Sequence, residues 1–205
     1  MQNQTLEAHM EQIGAAALVV FQLFLAVPTE DLRWALQDDA SLQEWPLKDD
    51  RSTVGINTLR AALRDGKLDS EEALERDYLY LFTGIGKPLA QPYESPYVSK
   101  DGLLFEESTM EVRKVYAEQG VGVPNSRRPD DHIGYEFAFL AQLAQKAAHE
   151  DDAMDTISVM EDFVRDHLGQ FSGIVANSLR EHAQTSIYQA LADLSEGIVE
   201  HFDAE

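Results

Sequence analysis

Residues 128–139, RPDDHIGYEFAF, pass from loop chemistry to helix chemistry within five positions. Pro129 closes a polar loop. Asp130 or Asp131 can cap a helix, because a side-chain carboxylate accepts hydrogen bonds from the free amides of a first turn. Ile133, Phe137, Leu140 and Ala144 then recur at the spacing of one buried helix face. This places Asp131, His132 and Glu136 where a loop meets the core.

The rest of the chain reads the same way. Apolar periodicity predicts helices over about Thr5–Val27, stopped by Pro28, Glu30–Gln37, Thr53–Arg64, followed by Gly66, and Phe105–Glu118, broken by Gly120, Gly122 and Pro124. Asp69-Ser70-Glu71-Glu72 is a capping-box pattern that opens a helix running to about Phe82. Gly120, Gly122 and Pro124 lead into the motif loop. Asp131–Glu150, Ala153–His167 and Phe171–Phe202, the last broken near His182, complete the series. No strand alternation and no internal repeat is present. The expected fold is all-α, a single globular helical domain over residues 1–205 with about eight to ten helices. One long connection, about Gly84–Leu104, holds three of the seven prolines. Connections of that length in compact domains are commonly functional.

Composition narrows the function. A 205-residue chain with 44% hydrophobic content can bury a full core. The absence of Cys excludes disulfides, thiol nucleophiles and cysteine-ligated metal. Sixteen basic against 37 acidic residues give a net charge of −21. That field argues against nucleic acid and anionic membrane surfaces as partners and favours a cationic one; it also serves solubility alone. Ile13–Val27, IGAAALVVFQLFLAV, is too short for a membrane span and lacks the basic leading region of a secretory signal, since the first basic residue is Arg33. The expectation is a first helix buried on most of its surface, in a cytoplasmic protein.

Four blocks, in chain order, resemble the TorD/DmsD-like family of cytoplasmic chaperones that mature redox enzymes. Tyr78, Leu81 and Phe82 in YLYLF resemble the family's aromatic-x-x-Leu-Phe helix. Pro92, Tyr93, Glu94, Ser95 and Tyr97 in QPYESPY resemble its Pro-aromatic-x-Ser-x-Tyr loop. Pro129, Asp131, His132, Ile133 and Gly134 resemble its Pro-Asp-His-Ile/Phe-Gly motif, with Asp130 inserted. FVRDHLGQF and IYQALADLSEGIVE resemble its closing helix pair. The blocks cover roughly residues 70–200; the first 70 match only in helical, hydrophobic character. Tyr78 stands where the family often has Trp.

The resemblance implies an all-helical, non-enzymatic chaperone. It would bind the twin-arginine leader, or the apo catalytic subunit, of a molybdenum-cofactor enzyme until the cofactor is inserted. It also implies a monomer or a helix-swapped dimer, since some relatives exchange helices. Guanine-nucleotide binding has been suggested for the family, but Gly84-Ile85-Gly86-Lys87 lacks the strand and the spacing of a phosphate loop. The residue chemistry suits the implied ligand. Arginine is held best by bidentate carboxylates, which Glu94, Asp130, Asp131 and Glu136 can supply. Tyr78, Phe82, Tyr93 and Tyr97 can supply an aromatic groove for the apolar part of a leader. With Leu81, Pro92, Ser95 and His132 from the same blocks, these form the expected peptide-binding set.

Other readings compete. Asp131, His132 and Glu136 could serve acid/base or metal chemistry in a small helical enzyme, although no HExxH pattern occurs. Asp131 could be only a cap, with His132 bonding a loop carbonyl. Glu106, Glu107 and Glu111 lack the Glu-x-x-His partners of a di-iron bundle. His9, His149, His167, His182 and His201 show no ligand spacing. A general helical adaptor is the third class. No cofactor or metal is expected.

Overall fold

The computed structural model describes residues 2–84, 86–122 and 128–202. Pro124, which leads toward the motif loop, and Ile85, within Gly84-Ile85-Gly86-Lys87, lie outside the described residues. The chain forms α1 (Gln2–Leu25), α2 (Glu30–Ala35), α3 (Asp39–Gln43), α4 (Asp50–Arg64), α5 (Glu71–Tyr78), α6 (Ser95–Val98), α7 (Glu107–Glu118), α8 (Ile133–His149), α9 (Met154–Phe163), α10 (Gly169–His182) and α11 (Ser186–Val199). A π-helical turn over Leu79–Thr83 extends α5, and another over Val164–Leu168 joins α9 to α10. Among the described residues there is no strand, only one isolated antiparallel bridge between Tyr93 and His132. The expected all-helical single domain forms.

Several boundaries move for identifiable reasons. α4 starts at Asp50, not near Thr53, because Asp49 caps it: its Oδ1 accepts the Ser52 N–H at 2.7 Å. Asp38 caps the short α3 through the Ser41 N–H, a helix too brief to show periodicity. No break separates His167 from Phe171, since the π turn carries the helix through. Phe105 does not open α7. It precedes it with a left-handed φ of 65° and a ring that is 65% exposed. The long connection is not wholly irregular, because α6 lies within it.

α1 packs lengthwise on α8 and also meets α11, which packs in turn on α4 and α10. Thr5–Leu25 is long and apolar enough to cross a membrane by length and composition, with a mean hydropathy of 1.4. Only 44% of its most apolar 18-residue window is buried, so the helix is one-sided rather than enclosed. Ile13, Ala16, Ala17, Val20, Leu23 and Phe24 face inward, while Leu18 is half exposed.

Two aromatic clusters hold the N-terminal half of α8. Phe24 stacks on Phe137 at 5.9 Å and meets Phe82 edge-on at 5.5 Å, and Phe82 meets Tyr188 at 5.7 Å. Phe139 contacts Tyr116 at 4.6 Å and Phe163 at 4.8 Å. Fully burying one such ring contributes about 1.5–3 kcal/mol. α11 has no side-chain cap of its own. Asp77 supplies one from α5, accepting from the Gln184 and Thr185 amides and the Thr185 hydroxyl at 2.6–2.9 Å. Asp69 adds contacts to Ser186 and Ile187. These bonds tie the α5 helix, and with it Tyr78 and Phe82, to the closing helix.

Candidate peptide-binding site

The two loop motifs are bonded to each other. The Ile133 N–H donates to the Pro92 carbonyl at 2.8 Å, and the Glu94 N–H to the Asp131 carbonyl at 3.0 Å. Asp131 Oδ2 accepts the Ser95 N–H at 2.8 Å. Asp131 therefore serves the first turn of α6, not of α8. The α8 cap is His132, whose Nδ1 accepts the Gly134 N–H at 3.0 Å. Neither Asp130 nor Asp131 caps α8, and His132 does not bond a loop carbonyl through that nitrogen. Burial, with the Arg128 guanidinium adding to it, pushes the His132 imidazole down to about 3. A neutral ring leaves Nδ1 free to accept. Gly134 is required by close approach: a Cβ there would sit 2.8 Å from Leu25 Cγ and 3.2 Å from His132 Nδ1.

The acidic residues of the motifs point inward. Asp131 and Glu136 are fully buried, and Glu94 is 2% exposed. Both Glu136 oxygens and Asp131 Oδ1 are buried without a hydrogen-bond partner. Burial first, then Glu94 and Asp131, hold the Glu136 carboxyl well above the ordinary 4.5, which favours the neutral acid. Glu94 faces His167, whose Nδ1 lies 3.3 Å from each carboxylate oxygen. The buried Tyr116 phenol donates to the Asp130 carbonyl at 3.4 Å, and burial raises its pKa further. Asp130, 8% exposed, is engaged through its carboxylate by Arg113. Among the described residues no group of three His, Cys, Asp or Glu side chains is arranged to hold a metal ion.

Four of the sequence-derived residues border one pocket, Tyr78 and Tyr93 half-buried and Phe82 and His132 buried behind them. Tyr78, Phe82, Tyr93 and His132 line a pocket of about 440 Å³ together with Lys87 and Arg128. The Tyr93 ring stands edge-on to His132 at 5.0 Å. The Tyr78 hydroxyl donates to the Phe24 carbonyl at 3.2 Å, and Arg128 donates to the Leu25 carbonyl at 2.9 Å, so both walls rest on the end of α1. The remaining residues lie elsewhere. Leu81 and Ser95 are fully buried and Pro92 is buried. Tyr97 stacks on Phe171 at 5.9 Å and donates to the Gln91 carbonyl at 3.0 Å. The two cations in the pocket, Lys87 and Arg128, are absent from the expected set. Arg128 opens the motif itself, and only its identity as the first residue of RPDDHIG could have pointed to it.

Comparison with known proteins gives a consistent answer. The family model for the nitrate reductase delta subunit matches residues 48–177. The Tat proofreading chaperone DmsD of Salmonella typhimurium (strain LT2) is 26% identical over 190 residues, 90% of this chain and 86% of that protein. The chaperone protein TorD of Vibrio cholerae serotype O1 is 29% identical over 131 residues, 62% of this chain and 59% of that protein. TorD of Vibrio parahaemolyticus is 27% identical over 130 residues, 62% of this chain and 60% of that protein. The family match spans both loop motifs, so the bonded Pro92–Ser95 and Asp131–Ile133 segments fall within it, and the chain belongs to the nitrate reductase delta subunit family of TorD/DmsD-like maturation chaperones.

Proposed function

We propose that this protein is a cytoplasmic maturation chaperone, not an enzyme, for a molybdenum-cofactor redox enzyme exported by the twin-arginine route. It binds the leader and the apo form of the catalytic subunit and releases them after the cofactor is in place. The observation that carries this reading is the likeness to a Tat proofreading chaperone over 90% of the chain. The chemistry of the pocket supports it: Tyr78 and Tyr93, both half-buried, offer the aromatic surface that an apolar leader segment needs. The charge of −21 draws a cationic peptide toward the protein.

The test is calorimetric titration with a peptide bearing two adjacent arginines and an apolar core, at two ionic strengths. Affinity is expected to fall as salt rises, because screening weakens the attraction. Equal binding of a peptide with both arginines replaced by glutamine would count against the reading. Co-purification of a redox-enzyme subunit from the native host is the cellular counterpart.

A further inference from the structure

Tyr93 and Glu94 are consecutive, yet they line different pockets. Tyr93 lines the aromatic pocket described above. Glu94 lines a second pocket, of about 450 Å³, between α6, α7 and the π turn after α9. The segment after α6 does the same in reverse: Leu104 lines the aromatic pocket and Glu106 the second one. The two cavities are therefore neighbours, separated by the chain at Tyr93–Glu94 and at Leu104–Glu106.

The second pocket is acidic. Glu94, Asp101, Glu106, Glu107, Glu111 and Asp166 line it, against the single cation Lys100. Asp166 pairs with Arg165. Among the described residues Asp101, Glu106, Glu107 and Glu111 have no ion-pair partner. An independent feature accompanies the charge. Ser108 lines the same pocket and is only 7% exposed, yet its Oγ has no hydrogen-bond partner. The Oγ of Ser99, also on the wall, is unpaired as well. Buried hydroxyls are normally satisfied, so unpaired ones within the wall of a cavity mark places where a donor is missing. The acids are not arranged to hold a metal ion, and the volume is that of side chains rather than of a single ion.

We propose that this acidic pocket receives a pair of adjacent arginine side chains from a peptide whose following apolar residues lie in the Tyr78–Tyr93 pocket. Guanidinium groups present several donors in a plane and suit carboxylates backed by hydroxyl acceptors. The exposed Leu103, Leu104 and Phe105 lie beside the crossing and offer apolar contact along it. The proposal rests on the leader-binding reading and moves its cationic half away from the buried Asp131 and Glu136.

The experiment compares a peptide carrying two arginines before an apolar run with the same peptide carrying two glutamines. Both are titrated into the full-length protein, into E106Q/E107Q/E111Q, and into E7Q/E75Q/E181Q, which changes net charge equally at exposed positions outside the pocket. The wild-type preference for the arginine peptide is expected to fall about tenfold or more in the pocket variant, and to persist in the control. Ser108→Ala should lower it less, since it removes an acceptor but no charge. Circular dichroism melts confirm that each variant is folded. If the pocket variant keeps the preference within about twofold of wild type, the placement is overturned while leader binding stands. If wild-type protein binds neither peptide, the leader-binding reading fails and the placement with it. An equal loss in both triple variants assigns the preference to overall charge and overturns the pocket.

Discussion

Asp131 Oδ2 accepts the backbone N–H of Ser95 at 2.8 Å, joining residues 36 positions apart at a point with no solvent exposure. This one contact holds the start of α6 against the strand-like segment that leads into α8. Asp131→Ala leaves the Ser95 amide buried and unpaired, at a cost of about 1–3 kcal/mol. Asp131→Asn keeps an acceptor oxygen and should lose less. Both variants relieve the crowding of Asp131 with Glu136, so the difference between them isolates the hydrogen bond. Denaturant unfolding of the pair measures it. Indistinguishable midpoints for Ala and Asn would show that the bond contributes nothing.

Glu136 makes stability depend on pH in a predictable direction. Its carboxyl is held well above 4.5 in the folded protein by burial, then by Glu94 and Asp131. The folded state therefore retains a proton that the unfolded chain gives up. The contribution is intact below about pH 4.5 and is lost as pH rises from there through the folded-state pKa. Glu136→Gln, which cannot ionise, should gain on wild type progressively between pH 5 and pH 8. Thermal melts of both proteins across that range give the answer. A constant difference with pH would mean that Glu136 does not titrate anomalously.

The helices were legible because periodicity reports burial directly. Ile133, Phe137, Leu140 and Ala144 are all fully buried, as their spacing demands. The direction faced by the motif carboxylates was not legible. Acidic residues beside a loop are ordinarily solvated, and nothing local distinguishes Asp131, which turns inward to Ser95, from an exposed cap. Phe82 shows the same limit: its place in YLYLF suits a groove, but its ring is only 5% exposed and packs on Phe24 and Tyr188. The Asp77 cap on Thr185 links positions 108 apart, and no window of sequence contains both partners. Glu106, Glu107 and Glu111 were visible as an acidic run. Only the fold brings Glu94 and Asp166 to the same cavity.

Gly134 tests how closely α1 and α8 must approach. Its φ is not left-handed, so an alanine suits the backbone and would gain about 1 kcal/mol of helix propensity. Against that, the new Cβ would lie 2.8 Å from Leu25 Cγ. Overpacking of this kind costs about 1–3 kcal/mol, so Gly134→Ala should destabilise on balance. Leu25→Ala removes the clashing atom, and the double variant should lose less than the sum of the two single losses. A double-mutant cycle on unfolding free energies reads the coupling. Strict additivity would place the strain elsewhere.

Tyr93 should separate the two halves of the peptide site. Its ring borders the aromatic pocket edge-on to His132, while its neighbour Glu94 faces the acidic one. Tyr93→Ala removes apolar contact but no charge, and the bridge it belongs to is made by the Pro92, Glu94, Asp131 and Ile133 main chains, which survive the substitution. Binding of a peptide with an apolar run is expected to weaken about tenfold, roughly 1.4 kcal/mol, as for a central aromatic contact. The loss should be the same for the arginine and glutamine peptides, because the contact does not touch their differing residues. Shortening the apolar run should in turn erase the difference between Tyr93→Ala and wild type. Calorimetry on the two proteins with three peptides suffices. A loss confined to the arginine peptide would put the cationic pair against Tyr93 and merge the two pockets into one.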